Sequence, residues 1–198
     1  MSDDIVRLKI TLADTEPPIW RRVEAPAGMT LKDLHGVIQA AMGWDDDHLY
    51  QFHVGRETIA GPGMGDGGFG MRRAVGAGRV RLDELAGRGI KRFVYEYDMG
   101  DSWEHRIQIE KLLPADPAAR YPRLVDGAMQ CPPEDVGGVP GFYEFLEAIA
   151  DPEHPDHEDR LDWYGGTFDP AELDHDRIDK ALARIASRRK RAPAKHAR

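Results

Sequence analysis

The sequence predicts an α+β fold: a mixed, mostly antiparallel sheet built from hairpins, with one helix after the first hairpin and a C-terminal helical part. In several segments apolar and polar residues alternate, which is the period of half-buried strands. Other segments repeat apolar residues every three or four positions, as amphipathic helices do. The chain has 198 residues, 41% of them hydrophobic, and we expect one domain over residues 1–186.

The first hairpin is predicted within the first 25 residues. Apolar side chains alternate with polar ones from Val6 to Leu12, the pattern of a strand with one buried face. Pro17 and Pro18 interrupt this strand, and a second one is expected over residues 19–25. The turn between them is expected around residues 14–18.

The next predicted elements are a helix and a strand. Thr30 is a favourable N-cap, the stripe that follows it has helical spacing, and Gly43 suits the position after a helix. Residues 49–54 then alternate again, with Tyr50 and Phe52 on one side. We expect that side of the strand to face the core.

Residues 93–109 predict a second hairpin, around which we expect the functional site. Residues 93–97 and 103–109 alternate as strands do. Between them, Asp98-Met-Gly-Asp101 has the chemistry of a turn, because Gly100 can take a positive φ and aspartates bond to nearby amides. In a regular strand Asp101, Trp103 and His105 share one face.

Two stretches are predicted to be irregular. Residues 61–78 contain eight glycines, and Gly63-Met-Gly-Asp-Gly-Gly68 fits G-x-G-x-x-G. No helical stripe follows, so we reject a dinucleotide loop and expect a mobile insertion, with a lid that orders on binding as the alternative. After Leu113 prolines are frequent and apolar residues too sparse for a strand, which indicates a connector.

The C-terminal part predicts two helices and a tail. The stripe from Phe142 to Ile149 marks the first helix. Asp169 as N-cap and Pro170 at the first helical position mark the start of the second. Residues 187–198 are expected to form a basic, disordered tail.

Charge is divided unequally along the chain. Residues 183–198 carry seven Lys or Arg and no acid, whereas the remaining chain has 20 basic residues against 35 acidic ones. Such a body should repel nucleic acid, so we expect nucleic-acid contact only through the tail. No apolar run approaches the roughly 18 residues of a membrane span, and no signal peptide is recognisable. We expect a cytoplasmic protein without membrane contact.

Carboxylates and imidazoles around the central hairpin are the residues best suited to chemistry. The candidate pocket residues are Asp98, Asp101, Trp103, His105, Glu134 and Asp135. The candidate metal ligands are Asp98, Asp101, His105 and His53, with His48 as the alternative histidine. Mixed imidazole and carboxylate ligands suit zinc, iron or manganese, so a divalent metal is the candidate cofactor. A buried His105 bonded to Asp98 or Asp101 explains the hairpin residues without metal, and we prefer that interpretation.

Residues 131–138 hold two further features. Glu134 and Asp135 are adjacent, so in an extended segment they point apart and cannot form a facing acid/base pair. We expect them to cap a nearby turn. Cys131 has no basic neighbour in sequence that would lower its pKa, which favours a packed thiol over a nucleophile.

Several ordered motifs together resemble the plasmid pRiA ORF-three-like family over about residues 5–185. The segments that carry the resemblance are Ile19-Trp-Arg-Arg22, Trp44-Asp-Asp-Asp-His-Leu-Tyr-Gln-Phe52, Tyr95-Glu-Tyr-Asp-Met-Gly-Asp-Ser-Trp-Glu-His105, Cys131-Pro-Pro-Glu-Asp-Val-Gly-Gly138 and Phe168-Asp-Pro170. The resemblance implies an α+β fold with a mixed sheet and helices. It implies no known activity; some members are labelled passenger proteins of insertion elements or TnpR-like.

Three hypotheses of function follow. The first is a non-catalytic binding or accessory protein, linked to plasmids or mobile elements, whose ligand is an unknown protein or small molecule. The second is a metal-dependent hydrolytic enzyme that uses the Asp/His cluster. The third is weak DNA association through the basic tail. The label TnpR-like refers to a resolvase, and the sequence contains no serine-recombinase nucleophile motif that would support it.

Overall fold

An eight-stranded sheet is the centre of the structure, a computed structural model that describes residues 4–64 and 75–191. The strands are β1 (Asp4–Leu12), β2 (Trp20–Pro26), β3 (Tyr50–Val54), β4 (Glu57–Ala60), β5 (Val75–Gly76), β6 (Arg92–Tyr97), β7 (Trp103–Pro114) and β8 (Arg123–Ala128). The helices are α1 (Leu31–Met42), α2 (Leu82–Gly87), α3 (Gly138–Ala150), α4 (His157–Tyr164) and α5 (His175–Arg191), with a 3₁₀ turn at Ala77–Arg79.

The strand order is β5-β4-β3-β6-β7-β1-β2-β8. Neighbouring strands are antiparallel except β4 and β5, which run parallel. The predicted α+β class is therefore confirmed: the sheet is mixed and mostly antiparallel, α1 follows the β1–β2 hairpin, and α3 to α5 form the C-terminal helical part.

The predicted signals at both ends of α1 are confirmed. The Thr30 side chain accepts from the Asp33 amide, and the Asp33 carboxylate accepts in return from the Thr30 amide, which satisfies two donors that a helix start otherwise leaves free. Gly43 ends the helix with φ 89°. The Trp44 amide then bonds to the Gln39 carbonyl, so the indole turns back toward the core.

One face of the sheet carries the core. Alternate side chains of β1, β3, β6 and β7 are buried and form a single cluster with apolar side chains of α1, α3 and α5. The other alternate positions are exposed or half-buried and form an open face. This alternation decides which side chains of the central hairpin can reach a surface site.

The sequence prediction was wrong at two strands. The expected connector after Leu113 contains β8, which pairs antiparallel with β2. Its residues are mostly polar, including Arg123 and Asp126, because it lies at the edge of the sheet and buries little. The short strand β4 was also missed, since only its last two residues are buried.

The start of the last helix was also misplaced. The Asp169 side chain accepts from the Ala171 amide in a turn, and α5 begins only at His175. The residue that caps it is Asp174, whose carboxylate accepts from the Arg177 amide. Both aspartates have capping chemistry, and the sequence pattern did not distinguish them.

Two predicted segments fall partly outside the described residues. Residues 65–74 of the expected insertion are not described, while its last residues form β5 and the 3₁₀ turn. Helix α5 continues through the first five residues of the expected tail, and residues 192–198 are not described. None of the helices in the described part of the chain combines the length and apolar character needed to cross a bilayer.

Candidate functional site

Three loops meet at one end of the sheet and form what we call the three-loop site: residues 45–49, 98–102 and 131–138. The Asp98 amide donates to the Leu49 carbonyl at 2.9 Å. The Asp45 amide donates to Glu134 Oε2 at 2.7 Å, and the Gly137 amide donates to Asp101 Oδ2 at 3.1 Å. Each loop is thus bonded to the other two, so segments distant in sequence are held together.

The hairpin turn differs from its predicted geometry. The positive φ angles belong to Asp98, at 55°, and Ser102, at 56°, and Gly100 does not have one. The Gly100 amide instead donates to Asp98 Oδ1 at 2.9 Å, and the Ser102 amide donates to the Asp98 carbonyl at 2.6 Å. Asp98 therefore directs the turn with both its side chain and its backbone.

A histidine and two aspartates meet at the mouth of the site. His48 Nε2, Asp98 Oδ2 and Asp135 Oδ1 all lie within 4.8 Å of one another. The imidazole nitrogen is 3.8 Å from Asp98 Oδ2 and 3.0 Å from Asp135 Oδ1. Ligands placed about 2.0–2.2 Å from one tetrahedral ion lie roughly 3.5 Å apart, so these three atoms need only small shifts to share an ion. We call them the metal cluster.

Tyr97 and Glu134 support the loop that carries His48. The Tyr97 hydroxyl donates to Glu134 Oε1 at 2.5 Å and accepts from the amides of Asp47 and His48 at 3.0 and 3.3 Å. Burial, together with this bond to the Glu134 carboxylate, raises the pKa of Tyr97 well above its ordinary value. The phenol therefore stays protonated and keeps donating.

Aromatic rings form the inner wall of the site. Trp44 stacks on Tyr97 with ring centroids 5.2 Å apart and contacts Trp103 at 5.7 Å. The Trp44 indole N–H donates to the Pro132 carbonyl at 2.9 Å, which fixes residues 131–138 against the core. Trp103, a predicted pocket residue, is buried and so contributes to this wall from the core side.

His105 lies in the core and is not joined to the aspartates. It is completely buried, its Nδ1 is 3.2 Å from the Trp103 carbonyl, and its Nε2 has no hydrogen-bond partner among the described residues. Burial lowers its pKa to about 3. The expected bond to Asp98 or Asp101 is not formed, because β7 alternation directs this ring inward while both aspartates lie in the turn beyond the strand.

The other predicted residues divide between the site and the sheet. Asp101 lies in the three-loop site but binds the Gly137 amide. His53 lies on the open face of β3, with Nε2 3.0 Å from Glu96 Oε2, away from the metal cluster. Glu134 and Asp135 point to different partners, the first to Tyr97 and the second to His48, although Asp135, with φ 58°, is not extended as the prediction assumed.

Sequence reasoning missed the supporting roles of Trp44 and Tyr97, and it preferred His53 to His48 as the candidate ligand, whereas His48 is the histidine that lies beside Asp98 and Asp135. The sequence did indicate that Tyr97 lies near the site, because it ends an alternating strand immediately before the turn that carries Asp98 and Asp101. The strand alternation also placed His53 opposite Tyr50 and Phe52, which predicts the open face. His48, in the loop before that strand, is free to turn toward the hairpin.

Comparison with known proteins gives three findings. The model of the plasmid pRiA4b ORF-3-like protein family matches residues 4–177. Uncharacterized protein y4hQ of Sinorhizobium fredii is 42% identical over 191 residues, which are 95% of each chain. The crystal structure of MM3350, a protein of unknown function from Methanosarcina mazei Go1, has a TM-score of 0.79 and 34% identity, covering 89% of this chain and 98% of that one.

Proposed function

The chain belongs to the plasmid pRiA4b ORF-3-like protein family, and we propose that it is a binding protein that holds a divalent transition-metal ion at the three-loop site. One observation carries the proposal: His48, Asp98 and Asp135, from three different loops, bring three ligand atoms within 4.8 Å of one another. Hydrogen bonds from backbone amides join the three loops, so the positions of the three ligand atoms relative to one another are fixed.

The donor set indicates which ions fit. One imidazole and two carboxylates suit zinc, manganese or iron better than the all-oxygen sites that calcium and magnesium prefer. Three protein ligands leave at least one coordination position for water or for an atom of a bound molecule. The ion would therefore be an attachment point for a small molecule or for a protein side chain.

We favour binding over hydrolysis because the carboxylates of Glu134 and Asp101, which lie in the three-loop site, are already engaged in hydrogen bonds that hold the loops together. Hydrolysis at a metal-bound water commonly uses a nearby carboxylate as base. Glu134 already accepts from Tyr97 and from the Asp45 amide. Asp101 is bound to the Gly137 amide through Oδ2, which leaves only its other oxygen free.

The proposed setting is a cytoplasmic accessory role associated with plasmids or mobile elements. Support comes from the plasmid origin in the family's description. The ligand class within this proposal is an unidentified protein or small molecule rather than nucleic acid, since the body of the chain is strongly acidic.

The test of the metal site is calorimetric titration of chelator-treated protein with Zn²⁺ and Mn²⁺. We expect one ion per chain. Each of the variants His48→Gln, Asp98→Asn and Asp135→Asn should lose at least about ten-fold in metal affinity, because even the loss of a residue that only hydrogen-bonds to a metal ligand has an effect of this size. Asparagine is chosen because it tolerates the positive φ of Asp98 and Asp135.

Two matched variants serve as controls. Asp47→Asn removes the same charge beside His48, and His53→Gln removes a histidine that lies outside the metal cluster. Neither should weaken binding by more than about two-fold. Absence of metal binding, or equal losses in His53→Gln and His48→Gln, would refute the proposed site.

A further inference from the structure

A second site is indicated by a cavity of about 210 Å³ that contains none of the metal cluster. It lies between the end of α1, the segment after β8 and the segment that leads into α5. Its walls include Arg21, Met42, Cys131 and Ile178, and its rim includes charged side chains of residues 172–177. We call it the Arg21 cavity.

Arg21 is the most unusual residue in this cavity. It is only 2% exposed, and its guanidinium is held by backbone carbonyls. Nε donates to the Ala41 carbonyl, and Nη1 donates to the carbonyls of Trp20 and Ala128, each at 2.9 Å. Nη2 makes no hydrogen bond to the described residues, so two N–H donors are left for a ligand.

The fold makes room for this side chain at one point on β8. A Cβ at Gly127 would lie 3.1 Å from Arg21 Cδ and 2.9 Å from the Trp20 carbonyl oxygen. Only glycine therefore lets the edge strand pass this closely over the arginine. The guanidinium is thus fixed in place by backbone on several sides, which is the kind of preorganisation that binding sites need.

The guanidinium of Arg21 forms no salt bridge with a carboxylate of the described residues; Glu172 and Asp174 lie only on the rim of the cavity. The titratable group that influences its pKa is the Cys131 thiol. Burial raises the pKa of that thiol to about 12, so near pH 7 it is neutral. Burial also lowers the pKa of Arg21, but a guanidinium remains protonated in proteins, and a buried, uncompensated charge is costly.

We propose that the Arg21 cavity binds a small monocarboxylate, whose oxygens accept hydrogen bonds from Arg21 Nη2. Glu172 and Asp174 on the rim disfavour a dianion, while Arg177 on the same rim attracts a carboxylate. The volume equals that of roughly seven water molecules, and Met42 and Ile178 offer an apolar wall to a short aliphatic chain.

The first test follows the Arg21 Nε–H signal in proton–nitrogen spectra during titration with acetate, butyrate, lactate and benzoate. The signal is assigned by its loss in Arg21→Lys. We expect a saturable shift with at least one of these carboxylates, and none with butyramide or with sodium chloride at equal ionic strength. Failure of all four carboxylates, or an equal response to butyramide, would overturn the proposal.

Rim variants keep the test valid if Arg21→Lys does not fold. Glu172 and Arg177 are exposed, so their substitution should leave folding intact. Glu172→Gln should tighten binding of the responding carboxylate and Arg177→Gln should weaken it, each by about two- to five-fold. Glu158→Gln on α4 is the control and should change nothing; unchanged affinity in both rim variants would place the binding elsewhere.

Discussion

Two residues of the metal cluster adopt a left-handed backbone conformation that residues other than glycine rarely take. Asp98 and Asp135 have φ values of 55° and 58°. Such strain persists where the surrounding structure holds it, and it is concentrated at functional sites. Here it directs one carboxylate from the hairpin and one from residues 131–138 toward His48. Asp14 and Met129 also have positive φ and lie outside the cluster, so the test of the proposed ligand role is metal binding and not the backbone conformation.

The sequence pointed to the turn that carries Asp98, but it preferred His53 to His48, the histidine that lies beside this turn. Asp98, Asp101, Glu134 and Asp135 could be chosen because carboxylates accumulate beside turn residues. The burial of His105 was predicted from the alternation of residues 103–109 and is confirmed. Its expected bond to Asp98 or Asp101 is wrong, because both aspartates lie in the turn and not on the buried face of β7. Which histidine lies beside the turn is decided by tertiary contacts such as the hydrogen bond from the Asp98 amide to the Leu49 carbonyl.

His105 should make stability depend on pH. Its folded pKa is about 3, against an ordinary value of 6.5, so below 6.5 the unfolded chain binds a proton that the folded chain does not. The free energy of unfolding should fall as pH drops from 6.5 toward 3, by up to about 1.4 kcal/mol per unit from this residue. Urea unfolding at pH 7, 5 and 4 measures this slope.

His105→Phe is the matched variant for that slope. The ring is of similar size and does not titrate, so we expect a stability within about 1.5 kcal/mol of the natural protein at pH 7 and a shallower loss at low pH. Metal content should be unchanged. Parallel pH curves for the two proteins, or loss of metal in the variant, would contradict the structural role of His105.

Docking of the loops on one another is the feature that matters at the level of elements. Residues 131–138 approach the hairpin turn so closely that a Cβ at Gly138 would lie 2.6 Å from the Asp101 carbonyl oxygen. Helix α3 starts at this glycine. Residues 131–138 are therefore held by the helix on one side and by the hairpin turn on the other. Long periodic elements such as β1, α1 and β7 were predictable, whereas β8 was not, because an edge strand lacks the buried alternation that identifies a strand.

Gly138→Ala should weaken metal binding as well as stability. The substitution has to displace residues 131–138 from the turn, which moves Asp135 away from His48 and Asp98. Gly165→Ala is its control, because Gly165 also has a positive φ, at 85°, but has open space around its Cβ position. Both variants should lose about 1–2 kcal/mol from backbone strain, and only Gly138→Ala should lose metal affinity in calorimetry. Equal metal affinity in the two variants would argue against loop docking as the support of the cluster.

At the scale of the whole molecule, the acidic body and the basic C-terminal end differ in the sign of their charge. The body carries the three-loop site, in which the exposed residues Asp45 and Asp47 belong to the same loop as His48. Such a surface attracts cations and repels polyanions. The fold class was predictable because it depends on local periodicity, while the metal cluster depends on three loops far apart in sequence.

Any contact with DNA should depend on residues 187–198. We expect the full chain to bind duplex DNA weakly and with steep salt dependence, if it binds, and a chain ending at residue 186 not to bind at all. Fluorescence anisotropy at 50 and 200 mM salt measures both proteins. Binding that survives the deletion, or that is independent of salt, would contradict this assignment of the basic end.

The most direct measurement of the central claim is anomalous X-ray diffraction from crystals of the protein grown with Zn²⁺ or Mn²⁺, recorded on both sides of the metal absorption edge. The account predicts one strong anomalous peak about 2.0–2.3 Å from His48 Nε2 and from carboxylate oxygens of Asp98 and Asp135. A peak beside other residues, or none at this position at saturating metal, would contradict it.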